Sequence, residues 1–136
     1  MLESKKMHIG FNILMKDASA TIRNAPVLIA VFNTGAITNR FGKFGRKYRG
    51  ICEAYECQSI AASIQNMCLA ASVIGLGTAW IGIAVFCEKS INKLLKVKLG
   101  LEALIAVGIP DEKPIPVSRK SMEEMMITFK CVRGEK

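Results

Sequence analysis

The chain is short of several things that catalytic sites are often built from. It has a single histidine, His8, close to its start. A mixed zinc site or a Cys-His nucleophile pair therefore has little material to draw on. Its five cysteines, Cys52, Cys57, Cys68, Cys87 and Cys131, form an odd set with no CxxC pair. Reduced thiols in a cytoplasmic protein are the simplest reading of that pattern. The opening residues, MLESKKMHIGF, contain no apolar run of secretory type. Acidic residues are also scarce, with 11 Asp plus Glu against 19 Lys plus Arg and a formal charge of +8. That balance suits phosphate-bearing partners without choosing among them.

Charge of either sign is missing between Glu56 and Glu88. Within this gap, Met67 to Phe86 is long enough to cross a bilayer. Gly75-Leu-Gly77 cuts it midway, however, and Gln58, Ser59, Ser63, Gln65 and Asn66 precede it. A buried helix running into a buried strand gives the same hydropathy, so no membrane span is expected.

What is present reads as one α/β domain over residues 1–136. Residues 12–24 have the pattern of a helix end, which Ala25-Pro26 stops. Val27 to Phe32 (VLIAVF) and Leu104 to Ile109 (LIAVGI) are continuous apolar runs of strand length, and IGIAVF, Ile81 to Phe86, is a third. Continuous rather than alternating apolarity predicts strands covered on both faces. Residues 53–74 are the clearest helix. Cys57, Ile60, Ile64, Met67, Ala71 and Ile74 recur at spacings of three and four, and Gly75 follows at the C-terminal position. The small residues on its other sides predict burial nearly all round, against a sheet and a second subunit. Glu88 to Lys96 is expected as a short amphipathic helix, residues 110–120 as a proline-stiffened loop, and Ser121 to Glu124 as a capped helix start. Ile127 to Val132 could form a last strand.

Residues 33–50, NTGAITNRFGKFGRKYRG, read as a loop that interleaves five cations with Phe41, Phe44 and Tyr48. Such a mixture can bind single-stranded nucleic acid by charge and stacking. A mobile excursion over a pocket with solvated cations explains it better, and no nucleic-acid partner is expected because no recognised module surrounds it.

The succession NAPVLIAVF, QSIAASIQNMCLAASVIGLGTAWIG and LIAVGIPDEKPIPVSRKSMEEM resembles the FMN-dependent nitroreductase family. The three motifs stand in the family's order and span roughly residues 12–126. The resemblance implies an α+β fold with a central mixed or antiparallel sheet flanked by helices, in a homodimer. It implies an oxidoreductase that passes electrons from NAD(P)H through FMN to a nitroaromatic, quinone or similar small acceptor. The flavin carries that chemistry, so no catalytic side chain is required. Carried over by position, Trp80, Ile81, Gly82 and Ile83 would run beside the flavin ring. The amides of Gly82 and Ile83 would face N5 and O4, where negative charge develops. Arg119, with Ser118 beside it, would meet the phosphate. The "RRSxR"-like and "APSxxNxQpW" motifs that open family members do not occur here. The chain is therefore expected to be an N-terminally short or truncated member. The alternative is a flavin-poor binding protein that keeps the fold without the activity.

Overall fold

The computed structural model describes residues 2–113 and 115–128, with side chains from Asn12 onward. Helix α1 (Leu2–Asn24) leads through Ala25-Pro26 into strand β1 (Val27–Asn33). A short helix α2 (Ala36–Phe41) and a single 3-10 turn (Gly42–Phe44) follow, then the long helix α3 (Arg46–Val73). Strand β2 (Gly77–Ile81) passes directly into a 3-10 helix (Gly82–Cys87), helix α4 (Glu88–Leu95) and strand β3 (Gly100–Gly108). An irregular segment then reaches helix α5 (Met122–Met125).

The sheet has the order β1-β3-β2, and both pairings are antiparallel. The last strand in sequence is thus the central one, and it carries most of the core. Ala103 and Ile105 have no exposed surface and pack with Ile64 of α3, flanked by Ile29, Val31, Ile60 and Cys68. Leu104 and Ala106 point to the opposite face, toward Ala18 and Ile22 of α1, Ile81, Ala84 and Ile91. Alternation along β3 is broken once. Val31 pairs with Ala103 but Phe32 pairs with Leu101, so Glu102 is an extra, bulged residue. The bulge restores Leu101 to the α1 face, which a regular strand would have denied it.

Helix α3 ends as its sequence predicts. Gly75 takes φ +80, the Leu76 amide donates to the Ala71 carbonyl, and the Gly75 amide donates to Ser72. These are the two bonds of a Schellman motif, which only a residue free to adopt positive φ closes without strain. The capping box at Ser121 also forms, with Ser121 and Glu124 exchanging side-chain-to-backbone bonds.

Several expectations are corrected. Residues 33–50 are not a loop: α2, the 3-10 turn and the first turn of α3 occupy most of them. The strand after Gly75 is Gly77–Ile81 rather than IGIAVF, and Gly82 to Cys87 coil into the 3-10 helix. Within the single chain, where no second subunit covers it, helix α3 buries Cys52, Glu56 and Ile64 and leaves Leu69, Val73 and Ile74 exposed, an outcome that does not bear on the expected contact with a partner. β1 is an edge strand whose first residues, Val27 and Leu28, are open to solvent. Gly77 serves close approach rather than a turn, because a Cβ there would lie 3.3 Å from Pro110 Cβ. Ile127 and Thr128 are not in a strand, and the remainder of that expected element lies outside the described residues.

Candidate functional site

The chain runs from a sheet edge into a tight coil at Ile81–Gly82. Trp80 pairs with Ile105 on the central strand and is 44% exposed, so its indole is half open to solvent beside the turn. Ile81 pairs with Leu104, is buried, and anchors the turn to the core. Gly82 and Ile83 are then the first two residues of the 3-10 helix. A 3-10 helix leaves the amides of its opening residues without an acceptor inside the helix. At Gly82 no side chain screens that amide, and a Cβ placed there would meet nothing within 4 Å. The result is an open surface bearing backbone donors, walled on one side by an aromatic ring. An apolar cavity of about 200 Å³ lies behind it, lined by Ile22, Ile81, Ile83, Ala84 and Leu104 among others.

The proposed phosphate residues lie elsewhere in the chain. Ser118 and Arg119 are exposed on the irregular segment between Pro110 and α5. Among the described residues, no hydrogen bond joins them to residues 80–83, and they line none of the cavities described in this section. A larger cleft, of about 360 Å³, sits at the opposite end of the sheet around Pro26, Gly77, Gly108 and Pro110. It is remote in register from Gly82, since Gly77 pairs with Gly108 and Ile81 with Leu104.

A second polar centre was not anticipated from the sequence. Glu56 is 6% exposed and is hydrogen-bonded through both carboxylate oxygens. Its Oε1 accepts from the amides of Ile37 (2.7 Å) and Thr38 (3.0 Å), and its Oε2 accepts from the Thr38 hydroxyl (2.7 Å). The Asn33 side-chain amide reaches the same Oε2 at 3.5 Å and Glu102 of the bulge at 3.1 Å. One carboxylate thereby ties the start of α2 and the end of β1 to α3. These donors favour the charged form, the Thr38 hydroxyl most strongly, and hold the Glu56 carboxyl below its ordinary value of 4.5 despite opposition from burial. The sequence did contain a signal for it. Cys52, Glu56, Ile60 and Ile64 lie four apart, which puts one carboxylate on the helix stripe that faces inward. A polar cavity of about 290 Å³ adjoins this centre, edged by Glu53, Glu56, Glu102, Arg49 and Lys98.

Among the described residues no group of three or more His, Cys, Asp or Glu could hold a metal ion. No helix among them is long and apolar enough to cross a membrane. Cys52, Cys57, Cys68 and Cys87 are free.

No curated protein matches the chain. Among solved structures it is similar to a protein from Desulfovibrio desulfuricans that is assigned as a nitroreductase and was solved in complex with FMN. The two share 22% identity at a TM-score of 0.52, over 76% of this chain and 72% of the other. At that identity the likeness concerns the fold. The profile of the nitroreductase family matches residues 6–109, which takes in β1, β2 and β3, all of α3, most of α1 and the Trp80–Ile83 turn but stops short of Ser118 and Arg119. With the expected sheet, the Gly75 helix stop and the bare Gly82 turn all within the matched span, the chain belongs to the nitroreductase family.

Proposed function

We propose that this chain is an FMN-dependent oxidoreductase whose flavin ring lies along Trp80, Ile81, Gly82 and Ile83. The observation that carries the reading is the Gly82 turn. Two consecutive amides open a 3-10 helix at a point where the backbone has no side chain over it. FMN, when bound, supplies hydride uptake from NAD(P)H and electron delivery to a nitroaromatic, quinone or similar small acceptor. The chain's own part is to bind and orient. The Gly82 and Ile83 amides donate to the edge of the ring that gains negative charge, and donors fixed beforehand stabilise that charge without reorganising. Trp80 shields one side of the ring from water, and Ile81 holds the turn in register with Leu104. Ser118 and Arg119 hold the phosphate, where a guanidinium fork suits two oxygens at once.

The same reading makes the protein a homodimer of the cytoplasm. Val73 is 86% exposed and Leu69, Ile74 and Ile109 are open as well, a surface apolar enough to pack on a second copy. The four described thiols are unpaired, as in a reducing compartment.

Titration of the purified full chain with FMN tests the reading. Saturable quenching of flavin fluorescence, followed by NAD(P)H oxidation with a quinone acceptor, is the expected result. Absence of the family's opening arginine-rich motif, and a Ser118–Arg119 pair that is exposed with no hydrogen bond to residues 80–83, favour a second reading, a flavin-poor binding protein. That reading predicts a folded, dimeric and colourless protein that oxidises no NAD(P)H.

A further inference from the structure

The cationic segment that sequence alone assigned to a solvated loop is a projecting helical hairpin, and its geometry suits a particular partner. From Asn39 to Ile51 every residue except Gly42 is exposed, so the end of α2, the 3-10 turn and the first turn of α3 form one solvent-facing tip. Five cations, Arg40, Lys43, Arg46, Lys47 and Arg49, lie on it, and no acidic residue occurs from Ala36 through Cys52. Arg49 pairs with Glu53 at 2.9 Å. Among the described residues the other four have no carboxylate partner.

The tip is also apolar. Phe44 is 65% exposed at the 3-10 turn, Tyr48 is 56% exposed on the next turn, and Phe41, the last residue of α2, is exposed as well. Arg40 lies over the Phe41 ring at 5.3 Å and Lys43 over the Phe44 ring at 5.7 Å. Each of these cations travels with a ring, so any surface that receives the rings receives the charges alongside them. The bonds of Glu56 to Ile37 and Thr38 tie the start of α2, the base of this hairpin, to α3.

We infer that this hairpin tip docks on the surface of an anionic phospholipid bilayer. Rings entering the headgroup boundary, flanked by cations that meet lipid phosphates and carboxylates, form the recognition pattern of an interfacial anchor. Two other occupants fit the observations less well. A second copy meeting tip to tip would set like charges against each other, which opposes association. Single-stranded nucleic acid is gripped along a basic groove. The groove beside this hairpin is instead edged by three carboxylates, Glu53, Glu56 and Glu102, against two cations, Arg49 and Lys98, while the other four cations of the hairpin lie outside it. Docking here involves no bilayer-spanning element and does not depend on flavin.

Flotation of the full chain with two sets of vesicles tests the inference. One set is phosphatidylcholine alone, and the other is phosphatidylcholine mixed with phosphatidylserine. The chain should float with the mixed vesicles at low salt, stay behind with the neutral ones, and be released as ionic strength rises. Each cation near an anionic surface contributes about fivefold in partitioning. The triple variant Lys43→Glu, Arg46→Glu, Lys47→Glu should therefore lose at least about a hundredfold. Phe44→Ser should weaken binding while leaving its salt dependence in place. Circular dichroism of each variant checks that the fold is kept, and all three charge changes fall on exposed residues. The inference is overturned if wild type floats equally well with neutral vesicles or with neither. It is also overturned if the charge-reversed variant floats as wild type does, or if the chain binds a single-stranded oligonucleotide but not the mixed vesicles. None of these readouts involves FMN, so failure here leaves the flavin reading standing and the converse also holds.

Discussion

Two corners stand at the same end of the sheet, and they are built in opposite ways. Asn33, at the end of β1, pairs with Gly100, and Ile81, at the end of β2, pairs with Leu104 four residues along the same strand. At the β2 corner the chain turns into a 3-10 helix anchored by the buried Ile81 and Ala84, and a glycine leaves the backbone open. At the β1 corner a buried carboxylate collects donors from two elements and fixes a hairpin that carries five cations. One corner is open backbone suited to a flat ligand, and the other is a closed polar knot. In a single fold, accessible donors and satisfied donors are therefore kept apart.

Removing the knot should produce the largest effect. Glu56→Ala leaves two amides, a hydroxyl and the Asn33 side chain short of an acceptor, each in a partly or fully buried place. Chemical denaturation should show a greater loss of stability than for any other substitution named here. Trypsin should then cut the hairpin at Arg40 to Arg49 before it attacks α4. If Glu56→Ala unfolds the whole chain, Glu56→Gln keeps an acceptor oxygen and should show the same rapid cleavage in milder form.

The knot also has a pH signature. The Glu56 carboxyl sits below its ordinary value of 4.5, so the folded state holds its charged form more tightly than the unfolded state does. Its contribution is complete above about pH 4.5 and is lost as pH falls toward the depressed value. Wild type should lose stability across that acid window by more than Glu56→Gln does, as read from paired denaturation curves.

The other corner should respond in a graded way. Gly75→Ala forces a side chain onto φ +80 at the helix stop and should cost roughly 1–2 kcal/mol, measured by the denaturation midpoint. Gly82→Ala should leave stability unchanged or raise it by less than about 1 kcal/mol, because φ is unstrained and the space is empty. A large loss from Gly82→Ala would show that this glycine serves packing and would remove the contrast between the corners.

The two corners also differ in how much of them could be read in advance. GLGTAWIG declared its helix stop, its strand and the odd glycine through local chemistry: a helix end needs positive φ, and glycine supplies it. Even there, the strand was displaced by four residues, because IGIAVF is as apolar as a strand although its chain coils. The 33–50 segment was misread because Gly35, Gly42 and Gly45 among cations look like a loop. Its helix is licensed by Glu56, 18 residues beyond Thr38, and no local pattern reveals a long-range acceptor. Likewise nothing local announces that Glu102 is bulged, which decides the face on which Leu101 lies. Of the candidate site, Trp80 to Ile83 could be proposed from the sequence because they are contiguous. Ser118 and Arg119 lie on an irregular segment after Pro110 whose course no local pattern encodes.

The central claim is that Gly82 leaves an amide open for flavin. Parallel FMN titrations of wild type and Gly82→Val, followed by fluorescence quenching, test it most directly. Wild type should bind saturably, and Gly82→Val should bind at least about tenfold more weakly, the loss expected for one charge-directed hydrogen bond, with an unchanged denaturation midpoint. No saturable binding by wild type, or equal binding by both proteins, would contradict it.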